Sequence, residues 1–463
     1  MNISHPKFAV VGHPNKGKSS IVSSLALDDS VYISNIPGAT TKKRSFPLIV
    51  DGEILYELFD TPGFQRARRV LAWLQKHDVS ADKRYEVVRD FIRVHKDDKR
   101  FNDEIELLTP IMQGAGVIYV VDGSKPYGQE YEAEMEILRW TGEPSMALIN
   151  HIDESDYSAD WKRALGQYFK MVRTYNPMHT SVTQHISILE SMAQLKEEWI
   201  APVKASIVRF EQYHQQMLVA SATVLAGLVY ESVSKIETLP LKGEAFSKEE
   251  EEKLELQYKQ KLRSLESKAQ EKIEKIWNHA NLQKEQEALT FDGLDLFSEE
   301  MASVFGLTRK ELIVAGASSG AVTGAGIDLL FAGHTLLLGG AIGAMVGGVG
   351  AYFGFSELSE VKVLGQTLGK RTLQIGPMKN RNFPYILLGR ALYHTHKISQ
   401  RSHATREDLS IKMDSSFKEE WLDDKMRKEL EKQHKNFRNQ EEAEAKSIEA
   451  YENLILEALQ RLS

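Results

Sequence analysis

Four short segments carry residue types that together can hold and cleave a nucleoside triphosphate. Gly12-His13-Pro14-Asn15-Lys16-Gly17-Lys18-Ser19, followed by Ser20, has the G-x-x-x-x-G-K-[ST] spacing of a phosphate-binding loop. In such a loop, glycines let backbone N–H groups wrap the phosphates, and the following helix adds the partial positive charge of its N-terminus. Lys18 is placed to reach the β- and γ-phosphates, and the Ser19 hydroxyl to ligate Mg²⁺. Asp60-Thr61-Pro62-Gly63 offers a carboxylate that can hold Mg²⁺ through water and a Gly63 N–H for the γ-phosphate. Pro37–Lys42 supplies Thr41, which can complete the Mg²⁺ shell and report the γ-phosphate. Asn150-His151-Ile152-Asp153 places a carboxylate where it can accept from N1–H and N2–H of guanine, a donor pair that adenine lacks. Each short motif alone is also an ordinary turn. Their order along the chain makes them one site, with Lys18, Thr41 and Gly63 as the catalytic set and GTP or GDP as the ligand.

Such a site must be presented by strands. Short β-branched runs occur where each motif needs one: Phe8–Val11, Phe46–Val50, Ile54–Phe59, Val117–Val121 and Met146–Ile149, with Phe169–Thr174 as a later candidate. Their alternation with longer mixed segments predicts an α/β domain over residues 1–196, with a mostly parallel sheet and helices on both faces. The stretch from Phe64 to Pro110 is longer than one crossover helix requires and predicts a helical elaboration.

Gly12–Ser20, Pro37–Lys42, Asp60–Gly63 and Asn150–Asp153 resemble the motifs of the TrmE–Era–EngA group of P-loop GTPases. The Pro14-Asn15 pair and the Pro-Gly-x-Thr-Thr switch are closer to that group than to Ras. The resemblance covers about the first 190 residues and implies hydrolysis of GTP, slow without a partner or K⁺. It further implies a role for Asn15 in binding K⁺, whose bland alternative is capping the loop backbone. Phe64 stands where Ras-like proteins have a water-orienting Gln, so water must be oriented by other means. Two positions depart from the group. His151 replaces the usual Lys, and the final Ser-Ala motif is not evident: Tyr175-Asn176-Pro177 follows the right strand, but Pro177 has no N–H. Met178 or Asn176 must then contact the base. The combination resembles bacterial Era-type GTPases with an uncharacterised C-terminal domain.

Residues 197–463 read as mainly helical. Val203–Val233 forms one apolar-centred helix, and Leu254, Tyr258, Leu262, Leu265, Ala269, Ile273 and Ile276 step by three or four, a helical stripe suited to a coiled coil. The charge-alternating helices 247–289 and 415–463 are candidate surfaces for self-association or a protein partner. Residues 312–356 form a glycine-rich apolar block whose two halves are each about 30 Å long as helices, one hydrocarbon thickness. Gly316, Gly320 and Gly324, and again Gly339, Gly343 and Gly347, repeat every four residues, as in membrane helix contacts. The reading is a hairpin docked on or in a lipid bilayer. The alternative is a buried soluble pair, and Asp328 argues against free insertion. Lys370–Arg406 is basic, with Phe383, Tyr385 and Tyr393 interleaved. It reads as a solvated face, with RNA binding the weaker alternative. His394 and His396 are spaced as strand neighbours, without a carboxylate in register.

The 463 residues are too many for one core, and 42% apolar with 27% charged suits a folded protein. A net charge of −7 gives no sign of global nucleic-acid binding, and the absence of cysteine excludes disulfides and thiolate sites. The first residues lack the pattern of a signal peptide. The expected location is cytoplasmic, on the cytoplasmic face of the inner membrane if the hairpin docks. The function expected is that of a membrane-associated regulatory switch that hydrolyses GTP, and the alternatives are a ribosome- or RNA-associated assembly GTPase and a membrane structural protein that binds GTP with little turnover.

Overall fold

The computed structural model describes residues 5–27, 44–50, 52–178, 181–240, 247–279, 296–297, 304–307, 356–358, 362–363, 366–367, 372–401, 417–439 and 445–462. Thr41, with the rest of Pro37–Lys42, and residues 312–355 of the glycine-rich block lie outside them. Two compact units divide the chain, with the boundary inside one helix at Gln215 and Gln216.

The first unit is built on a six-stranded sheet. Its strands are β1 (Lys7–Gly12), β2 (Arg44–Val50), β3 (Glu53–Asp60), β4 (Gly116–Asp122), β5 (Ser145–Asn150) and β6 (Met171–Thr174), in the order β2-β3-β1-β4-β5-β6. All neighbours are parallel except β2 and β3, as the alternating sequence pattern predicts. The central strands are continuous apolar runs because both faces are covered. Along β1, Phe8 and Val10 enter one core while Ala9 and Val11 enter the other, the period-two alternation of a strand.

Helix α1 (Lys18–Ala26) follows β1 directly. The predicted elaboration is α2 (Ala67–Leu74), α3 (Arg84–Val94) and α4 (Asn102–Ile111). Its Val70, Leu74, Val88, Phe91, Leu107, Leu108 and Ile111 fill the Ala9/Val11 core. Helices α5 (Glu132–Trp140), α6 (Ser158–Leu165) and α7 (Val182–Ala193) complete the layers. Helix α8 (Glu197–Ser234) begins on this unit. Trp199 meets Phe8 edge-on, with ring centroids 5.0 Å apart. It also lies over Gly116, where a Cβ would come within 2.6 Å of the indole. The α/β unit therefore runs past Lys196 to Gln215.

In the second unit, α9 (Lys248–Ile276) buries Leu254, Tyr258, Leu262, Glu266, Ala269 and Ile273. This corrects the coiled-coil reading: the stripe packs inside its own unit against α10 (Phe383–Ser399). At the center of that contact, Arg390 donates to Glu266, Nε to Oε1 at 2.7 Å and Nη2 to Oε2 at 3.3 Å, with both residues buried. The expected basic surface is also corrected. Residues 383–399 form a buried helix, and Phe383, Tyr385 and Tyr393 are core residues, unable to stack on bases. His394 and His396 share this helix rather than a strand, and His394 lies 3.5 Å from Glu274.

Three short strands pair in the order β7-β11-β8 (Glu237–Pro240, Thr372–Ile375, Ser356–Leu358), and β9 (Lys362–Val363) pairs with β10 (Gln366–Thr367). The chain ends in α11 (Phe417–Trp421), α12 (Asp424–Asn439) and α13 (Ala445–Leu462), as the charge-alternating pattern predicts. Among the described helices, α8 alone is long and apolar enough to cross a membrane by length and composition. Yet 56% of its apolar window is buried within the protein, as in a core helix.

Candidate nucleotide site

The four strands β1, β3, β4 and β5 end in Gly12, Asp60, Asp122 and Asn150, so their carboxyl ends gather the motifs along one edge of the sheet. This is where open α/β sheets bind ligands. The loop Gly12–Ser19 is held from several sides. Asn150 is buried and donates through Nδ2 to the Lys16 carbonyl at 3.2 Å. Gly17 has φ of +83°, and a Cβ there would run into the Asn150 amide. Glycine is therefore required twice over at this position, by conformation and by space. Gly63 is constrained by space, since a Cβ would come within 2.6 Å of the Pro14 nitrogen.

Lys18 donates from Nζ to the His13 carbonyl at 2.9 Å and is 7% exposed. Burial lowers its pKa from 10.5 to about 8, against the opposing pull of Asp60 and Glu134. An ammonium so poorly solvated gains from an incoming phosphate. Ser19 donates from Oγ to Asp60 Oδ2 at 2.8 Å, and Asp60 is 2% exposed. A hydroxyl and a carboxylate at one point are the hard oxygen donors that suit Mg²⁺, which needs only one or two protein ligands when phosphates supply the rest. No group of three or more His, Asp or Glu placed to hold a metal ion occurs among the described residues, and none is needed for this kind of site.

The other loop side chains are engaged elsewhere. His13 Nδ1 lies 2.8 Å from Glu134 Oε1, while Tyr119 donates to Glu134 Oε2 at 2.9 Å. Lys16 Nζ lies 3.7 Å from Asp122. His13 and Lys16 thus serve the loop through their backbone. Asn15 is exposed and left-handed, with φ of 60°. Thr61 is fully buried and donates to the Val10 carbonyl at 2.7 Å, tying β3 to β1. Phe64 is 1% exposed, inside the core that contains Ala9 and Val11. Gln65 is exposed, its backbone N–H donating to Glu104.

At the base end, Asp153 is half exposed and paired with Lys125, Oδ2 to Nζ at 2.5 Å. The His151 imidazole is held within its own loop by Ser158 Oγ at 2.9 Å and Asp156 Oδ1 at 3.2 Å. Tyr175 is buried, its hydroxyl 2.8 Å from Ser24 Oγ. The Met178 N–H donates to Asn176 Oδ1 at 2.9 Å, so Met178 uses its amide locally. Sequence reasoning missed Glu104, Tyr119, Asp122, Lys125 and Glu134. They sit outside every motif, and only the folded topology brings Tyr119, Asp122 and Glu134 to the loop, Glu104 to the segment after Gly63 and Lys125 to Asp153.

Comparison with known proteins agrees with this geometry. Residues 7–151 match the family model of 50S ribosome-binding GTPases. GTPase Der of Thermoanaerobacter pseudethanolicus is 40% identical over 73 residues, covering 16% of each protein. GTPase Der of Aromatoleum aromaticum is 28% identical over 160 residues, 35% of this chain and 30% of that protein. The chain thus spans less than a third of the length of these curated relatives. Era of Aquifex aeolicus bound to GDP·AlF4⁻ aligns with a TM-score of 0.29 and 12% identity, covering 59% of this chain and 89% of that one. Residues 162–461 match the model of a domain of unknown function (DUF3482). That match takes in most of the chain, which therefore belongs to the DUF3482 family, with a P-loop GTPase domain preceding it.

Proposed function

We propose that this chain binds GTP with Mg²⁺, hydrolyses it to GDP and phosphate, and acts as a nucleotide-dependent switch whose output is carried by the helical half. The observation that carries the reading is the convergence of Lys18, the Ser19–Asp60 pair and Asn150 on one phosphate-sized loop. Lys18 and the loop N–H groups oppose the charge that develops on the transferred phosphoryl oxygens. Bound Mg²⁺, held by Ser19 and Asp60 with Thr41 completing the shell, would neutralise phosphate charge. Gly63 offers its N–H to the terminal phosphate, and Asp153 reads the guanine edge. With Phe64 buried, no side chain at that position orients the attacking water, so turnover is slow alone. Asn15 would help hold K⁺, which would supply positive charge beside the phosphates. Lys18→Ala should remove GTP binding in calorimetry. Full affinity in that variant would sink the assignment.

The switch works at the cytoplasmic face of the inner membrane, with residues 312–356 as the lipid-facing hairpin. This rests on the sequence pattern of two bilayer-length apolar halves. The charge-alternating segments 247–289 and 415–463 are left for a protein partner or a second copy. Full-length protein should float with liposomes and resist stripping by high salt, since apolar burial is insensitive to screening. Protein that stays in the soluble fraction in both nucleotide states would count against the membrane role. The description of the 7–151 family as ribosome-binding favours a second reading, binding to the large ribosomal subunit. Co-sedimentation with 50S particles in GTP but not GDP would support it. Burial of the aromatic residues in the basic stretch speaks against a direct RNA surface there.

A further inference from the structure

Behind Gly63 the chain is fixed by the buried Phe64 ring and by a run of backbone hydrogen bonds. The Phe64 N–H donates to the Gly12 carbonyl at 3.3 Å. The next two amides, of Gln65 and Arg66, both donate to Glu104 Oε1, at 3.0 and 2.5 Å. Three successive N–H groups are thereby pinned, one to the phosphate loop and two to α4. Arg66 adds a fourth tie, its Nη1 donating to the Arg100 carbonyl at 2.6 Å. Together with the packing of Phe64 in the core shared by α2, α3 and α4, these bonds link the elaboration to the segment after Gly63.

Glu104 is an expensive way to satisfy two amides. It is 0% exposed, and its Oε2 has no hydrogen-bond partner among the described residues. Burial also pushes its pKa up. Gln65 and Arg66 are exposed residues, whose amides water could serve at little cost. A buried carboxylate with one oxygen unserved costs stability. What it adds over water is a fixed position, because α4 is anchored in the core by Leu107, Leu108 and Ile111.

We propose that Glu104 is a positioning residue for hydrolysis: its carboxylate sets the path of Phe64–Arg66 and so the place where Gly63 presents its N–H to the terminal phosphate. This rests on the GTPase reading above.

The test uses full-length protein, with initial rates over a range of Mg·GTP concentrations and GDP binding by calorimetry. Glu104→Ala should lower kcat by about tenfold or more while KM and GDP affinity stay within about threefold. Glu104→Gln keeps an acceptor oxygen for both amides and should restore kcat to within about threefold of wild type. Hydrogen exchange should speed up in the peptide covering residues 64–66 in the alanine variant and not in the glutamine variant. Wild-type kcat in Glu104→Ala would overturn the proposal. So would a glutamine variant as slow as alanine with residues 64–66 still protected, since charge rather than positioning would then matter. If the alanine variant does not fold, Glu104→Asp decides. Its carboxylate is withdrawn by one methylene, so slow turnover with normal GDP binding is expected, and a normal rate overturns the proposal. A wild-type protein without GTP turnover would instead sink the GTPase reading, and that result is visible before any variant is compared.

Discussion

Lys18 gives a proton-linked signature of nucleotide binding. In the nucleotide-free loop its pKa is lowered to about 8. At about pH 7 the ammonium is then about nine-tenths populated, and at about pH 8.5 about one quarter. Bound phosphates favour the charged form and draw the pKa back up. Binding of GDP should therefore take up about three-quarters of a proton at the higher pH and about a tenth at the lower one. The apparent affinity should fall about fourfold between them, about 0.8 kcal/mol. Calorimetric titrations in buffers of different ionisation enthalpy measure the uptake directly. Lys18→Arg is the control, because guanidinium does not titrate in this range. Equal uptake at the two pH values, or the same uptake in the arginine variant, would refute the reasoning. The same shift has a consequence for stability. The unfolded chain holds this proton up to 10.5, so between about 8 and 10.5 it binds more protons than the native state. The nucleotide-free fold should gain stability as pH rises through that window.

Asp153→Asn should weaken GTP binding by about tenfold or more and favour xanthosine triphosphate, since the amide can donate to the 2-oxo group. Equal binding of ATP and GTP by the wild type would show that Asp153 does not read guanine. Turnover should be faster in K⁺ than in Na⁺, with Asn15→Ala erasing the difference, and identical rates in the two salts would reduce Asn15 to a structural residue. Arg390→Leu strands a buried carboxylate at Glu266 and should cost about 3–5 kcal/mol in denaturant unfolding of the helical unit. Adding Glu266→Leu should recover most of that loss, and a double variant no better than the single would mean that the ion pair is not the source.

The sheet and the phosphate loop were legible because their signals are local. Phe8–Val11 and Val117–Val121 are continuous apolar runs, and G-x-x-x-x-G-K-[ST] fixes a backbone shape by itself. What surrounds the loop was not legible. Glu134 reaches His13 across 121 residues and Glu104 reaches Arg66 across 38, and neither glutamate differs in sequence from its solvated neighbours. The helical half misled for a related reason. Tyr385 and Tyr393 beside Arg390 look like a basic aromatic surface, until Glu266 on a distant helix turns Arg390 inward. Periodicity found the α9 stripe but could not say that its partner lay within the same unit.

That partnership imposes an order on biosynthesis. Glu266 and Arg390 are 124 residues apart in the chain. At roughly 5–20 residues per second, α9 leaves the ribosome about 6–25 seconds before the helix that covers it. The glycine-rich block is translated inside that interval. All six strands of the nucleotide sheet precede residue 175 and can pair while α9 still waits. The nascent chain therefore carries a finished sheet ahead of an uncovered apolar stripe, and the block between α9 and α10 emerges at the moment when the chain has most need of a chaperone or another surface to shelter it.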